Sequence, residues 1–118
     1  MAYLLLILEQ RDDRDQRTQA EGQAAYEDMS RWRDNLRQRG VLQTAEALRP
    51  DRDAVRVSKR DGKRTILDGP FIESKEMVGG FFLLDCTSRE DALSIVEECP
   101  ATEYATVELR ELAPCYVT

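Results

Sequence analysis

The stretch Tyr3-Leu-Leu-Leu-Ile-Leu8 is six apolar residues without a break. A strand buried on one face alternates apolar and polar side chains. A run with no polar positions reads as a strand covered on both faces, in the middle of a sheet. It is far too short to cross a bilayer, which takes about 20 apolar residues. No basic residue precedes it and Glu9 ends it at once, so it does not read as a secretory signal. The fold must therefore give this strand neighbours on both edges and cover on both faces.

The chain downstream supplies them. Gln10–Gln19 is polar and charged and reads as a loop. Thr18-Gln-Ala-Glu21 has the spacing of a capping box, which starts a helix. Ala25, Met29, Trp32 and Leu36 then make one apolar stripe, and Gly40 is placed to end the helix. Val41–Leu48 reads as a strand, broken by Arg49–Asp53 with its Pro50. Ala54–Lys59 alternates, Arg60-Asp-Gly-Lys63 supplies the Asp-Gly pair of a tight hairpin, and Arg64–Leu67 returns. Gly80–Cys86 is a further apolar strand. Thr87-Ser-Arg-Glu90 is a second capping-box candidate. Ala92, Ile95, Val96 and Cys99 follow at helical spacing until Pro100, and Thr106–Leu112 alternates as a last strand.

Strand, helix, strands, strand, helix, strand is the ferredoxin-like order, with a hairpin over roughly residues 54–67 inserted in the middle. The expected architecture is a single α+β domain, 1–118, with an antiparallel sheet and two helices on one face. Two helices cannot also cover the sheet's other face, so a homodimer through that face is expected on physical grounds.

Composition narrows the function. Of 118 residues, 42% are hydrophobic and 34% charged, as in a globular domain, and the net charge of −6 argues against nucleic acid as a partner. No membrane span is expected. Cys86, Cys99 and Cys115 are an odd number without close spacing, which fits free thiols packed as small apolar residues in a cytoplasmic protein. There is no histidine, so a metal centre is not expected and the usual general base near neutral pH is missing; with no Walker or dinucleotide-binding pattern, no cofactor is expected either.

One segment concentrates both backbone specialists and charge: Asp68-Gly-Pro-Phe-Ile-Glu-Ser-Lys-Glu76, followed by Gly79-Gly80-Phe81. It resembles the DGPF-type signature of the YciI-like (YCII-related) family, and the likeness extends over most of the chain. The resemblance implies a dimeric α+β barrel of ferredoxin-like protomers. Relatives in the superfamily include isomerases, dehalogenase-like enzymes and monooxygenases acting on small organic molecules. DGPF-type genes often lie beside those for extracytoplasmic-function sigma factors. Some relatives carry a His–Asp pair proposed to be catalytic; without histidine, only Asp68 has a counterpart here.

Two readings of that segment stand side by side. Asp68 is either a turn carboxylate accepting backbone N–H groups or a base at a cleft. Glu73, Lys75 and Glu76 are either a solvated charged loop or a carboxylate set beside a cation. Gly69 would allow a backbone angle closed to other residues, and Gly79-Gly80 would mark a bulge or a close approach. Phe71 is a core plug or a pocket wall. Elsewhere, Tyr26 and Trp32 are packing residues or the wall of a pocket between helix and sheet. Arg110 is an ion-pair partner of Glu108 or an anchor for an anionic ligand. The functional expectation is a small-ligand-binding or regulatory homodimer. The alternative is a cofactor-independent enzyme using Asp68 or Glu73 for proton transfer on a small organic substrate.

Overall fold

In a computed structural model of the chain, the structure describes residues 1–71 and 73–117. The strands are β1 (Ala2–Gln10), β2 (Leu42–Ala47), β3 (Val55–Arg60), β4 (Lys63–Asp68), β5 (Glu76–Asp85) and β6 (Thr106–Glu111). The helices are α1 (Asp13–Gln16), α2 (Gln19–Gln38) and α3 (Arg89–Glu98), with short 3-10 turns at Asp51–Asp53 and Pro100–Glu103. No helix among the described residues is long and apolar enough to cross a membrane.

The apolar run lies where its composition requires. β1 is flanked by β5 and β6 in a four-stranded antiparallel sheet of order β2-β5-β1-β6, the ferredoxin-like arrangement. The β3–β4 hairpin forms a separate two-stranded sheet. Tyr3, Leu5 and Ile7 point to the buried face, where Trp32 and Leu36 of α2 and Ala92 and Ile95 of α3 close the core. Trp32 packs against Phe82 with ring centroids 4.9 Å apart. Leu4, Leu6 and Leu8 point to the other face and are half-buried.

Local signals set the element ends. The Thr18 side chain accepts from the Glu21 N–H at 3.1 Å while the Glu21 carboxylate accepts from the Thr18 N–H at 3.0 Å, completing the capping box. That pair also holds the Glu21 carboxyl below its ordinary range. Gly40, at φ +74°, ends α2: its N–H donates to the Arg37 carbonyl and that of Val41 to the Leu36 carbonyl, a Schellman motif. Asp61 and Gly62 both have positive φ, as a two-residue I′ turn demands.

Three expectations need correction. The Gln10–Gln19 segment is not all loop; it holds α1, whose Arg14 is drawn in by an ion pair described below. β5 begins at Glu76 rather than Gly80, because Glu76, Met77 and Val78 pair with Gln10, Glu9 and Leu8 across a bulge. The second capping box does not form. Ser88, extended at φ −154°, accepts from the Asp91 N–H, and Thr87 donates instead to the Asp91 carboxylate.

Candidate functional site

The signature segment builds a plug. Phe71 is buried, with the Arg56 guanidinium 3.6 Å above its ring. Its carbonyl accepts from Arg11 and from the Ser74 N–H. Arg11 also pairs with Asp51 at 2.8 Å, both largely buried, and the Asp51 carboxylate accepts from the Phe71 N–H. Gly69 is required by contact rather than by its φ, which is not left-handed. A Cβ there would lie 1.8 Å from the Asp51 carbonyl oxygen. Asp68, Glu73, Lys75 and Glu76 are all exposed.

A different place in the fold forms a cleft. It opens between the N-terminal half of α2 and the sheet, with a volume of about 810 Å³. Ile7, Ala25, Met29, Ala45 and Phe82 give it apolar walls. At one end lies Glu9, the buried carboxylate of the core face. Arg14 grips it with Nε to Oε2 at 2.7 Å and a second nitrogen to Oε1 at 3.2 Å. The same guanidinium donates to the carbonyls of Leu48 at 2.6 Å and Gly79 at 3.0 Å. The bulge in β5 makes room for this. A Cβ on Gly79 would stand 2.2 Å from Glu9 Oε1. Arg17 stacks on the Tyr104 ring at 4.7 Å and, among the described residues, has no carboxylate partner. Burial, ahead of the opposing pull of Arg17, raises the Tyr104 phenol above its ordinary range, so it stays protonated.

Of the residues singled out from sequence, Tyr26, Gly79 and Gly80 line this cleft; Asp68, Phe71, Glu73, Lys75, Glu76, Trp32 and Arg110 do not. Trp32 belongs to the core, and Arg110 lies on the sheet's open face, 3.8 Å from Glu108. Glu9, Arg14, Arg17 and Tyr104 were not singled out. The signal for Glu9 was present. It continues the Tyr3, Leu5, Ile7 alternation and so had to point into the core.

Among the described residues no three Cys, Asp or Glu side chains converge as a metal-holding group. Cys86 and Cys99 are buried and Cys115 is exposed, and all are free thiols. Burial pushes Cys99 up to about 11 and also raises Cys86. At pH 8 a thiol of pKa near 11 is about 0.1% thiolate. Labelling the native protein with a disulfide reagent is therefore expected to give one fast thiol, Cys115, and two that react only on unfolding. Fast labelling of the Cys115→Ser variant would contradict this.

The sequence profile of the YCII-related domain matches residues 1–115. An uncharacterised protein of Rhizobium meliloti (strain 1021) is 34% identical over 76 residues, covering 63% of this chain and 61% of that relative.

Proposed function

We propose that this chain, which belongs to the YCII-related family, is a homodimer that binds a small organic acid in the cleft between α2 and the sheet. The cleft carries the reading: its volume lies in the range of small-molecule sites, and its apolar walls are joined by polar and charged side chains, among them Arg17 and Tyr104. Arg17 supplies the anion anchor. Its guanidinium is oriented by the Tyr104 ring and its N–H groups are not spent on a carboxylate of the described residues. Glu9 has both oxygens engaged by Arg14, so it serves as a structural anion rather than a free base. That favours binding over proton transfer. The homodimer is supported by the sheet's open face, where Leu4, Leu6, Leu8, Val78, Phe81 and Leu83 share one side by register.

Calorimetry and thermal melts with benzoate and its neutral counterpart benzyl alcohol test the cleft. Benzoate is expected to raise the melting temperature and benzyl alcohol to leave it unchanged. Arg17→Ala should cost at least about tenfold in benzoate affinity, the scale of one charge-assisted hydrogen bond. Gly22 lines the cleft with open space where a side chain would go, so Gly22→Leu fills the site and suits the helix better than glycine. It should abolish the response while keeping the fold. Equal shifts with both probes, or unchanged affinity in both variants, would sink the proposal.

A further inference from the structure

We infer that the β3–β4 hairpin is an arm that closes over a second copy of this chain. The inference rests on the homodimer proposed above and names the element that completes it. The two strands pair only with each other, and every residue of β4 is exposed, as is every residue of β3 except Ser58. A lone two-stranded hairpin is marginal in water. Register places Val55, Val57 and Ile66 on one face, with Lys59 and Arg64 further out toward the turn. The three apolar residues are 56%, 60% and 51% exposed, an apolar row left in solvent by the protomer. The chain is also extended for its length. Its radius of gyration is 16.2 Å, against about 13–14 Å for a compact domain of this length.

Charge identifies the occupant. Between Val55 and Asp68 the hairpin carries five basic and two acidic side chains, whereas the whole chain is at −6, so the arm is cationic and the body strongly anionic. On the sheet's open face, register sets Glu46, Glu76 and Glu108 around the apolar residues of β1 and β5. Arg110 sits on that face beside Glu108, leaving carboxylates in excess. An apolar row with a cationic tip thus meets an apolar face with an anionic rim. Two-fold symmetry makes the contact twice, each arm lying on the rim of the partner's sheet.

Sedimentation equilibrium of the full chain tests this. The wild type is expected to be dimeric at micromolar concentration. Val57→Asp/Ile66→Asp should raise the dimer dissociation constant by about tenfold or more, with an unchanged far-UV spectrum because both sites are exposed. Lys59→Glu/Arg64→Glu should weaken the dimer at low salt and less so at high salt. If both hairpin variants dimerise like wild type while Leu6→Asp does not, the arm inference is overturned and the sheet-face dimer stands. A monomeric wild type overturns both. Loss of binding to phosphatidylserine vesicles in Lys59→Glu/Arg64→Glu, with the dimer intact, would overturn it in favour of a lipid surface.

Discussion

Replacing Gly69 by alanine is expected to destabilise the protein by about 3 kcal/mol and lower its melting temperature by roughly 10–15 °C. The added Cβ would sit 1.8 Å from the Asp51 carbonyl oxygen and 2.8 Å from its carbon. Neither side can retreat cheaply. The Gly69 N–H donates to the Ala54 carbonyl, and the Asp51 carbonyl accepts from the Ala54 N–H. The Asp51 side chain is pinned by Arg11 and by the Phe71 N–H. Moving Gly69 therefore loosens the Phe71 plug. Gly22→Ala is the matched control: nothing lies within 4 Å of its Cβ, and in the helix alanine should stabilise by about 0.5–1 kcal/mol. Urea midpoints of the two variants should move in opposite directions. If both moved the same way, contact at Gly69 would not be the reason for the glycine.

The second large effect is expected at Arg14. Its removal leaves the buried Glu9 carboxylate without its partner and withdraws donors from the Leu48 and Gly79 carbonyls. Breaking a fully buried pair costs about 3–5 kcal/mol; with Arg14 about a quarter exposed, a loss of roughly 2–4 kcal/mol is expected for Arg14→Ala. Arg14→Lys should recover only part, since one ammonium cannot grip both carboxylate oxygens and reach two carbonyls at once. Glu9→Leu/Arg14→Met should be more stable than Arg14→Ala, because removing both charges leaves no unpaired one. Denaturant unfolding of the three variants reads the order directly. A double variant no better than Arg14→Ala would mean that the carbonyl contacts, not the ion pair, carry the effect.

These two sites show what was legible and what was not. The fold was legible because it rests on local signals. The run Tyr3–Leu8 gave a central strand, Thr18 and Glu21 a helix start, Gly40 a helix end, and Asp61-Gly62 a hairpin turn. Each is a property of a few adjacent residues, and each is present in the structure. The start of β5 was not legible, because Glu76 looks like loop charge until its pairing with Gln10 is known. The segment around Arg14 read as loop for the same reason. Its helix is one turn long and is held by contacts to Glu9, Leu48 and Gly79, two of them distant in sequence.

The signature segment is the sharpest case. Its charges suggest a site, yet Asp68, Glu73, Lys75 and Glu76 face solvent while Gly69 and Phe71 do the packing. Composition shows that a segment is unusual; it does not show which side chains turn inward. By itself the sequence determined family, the order of the ferredoxin-like elements and the apolar surplus on the sheet, because strand and helix periodicities and turn chemistry are short-range. Only the tertiary structure decided that Glu9 and Arg14 meet, that Gly69 is needed for contact with Asp51, and that the cleft opens under α2. Those outcomes depend on distances between segments far apart in the chain, and no local pattern encodes such distances.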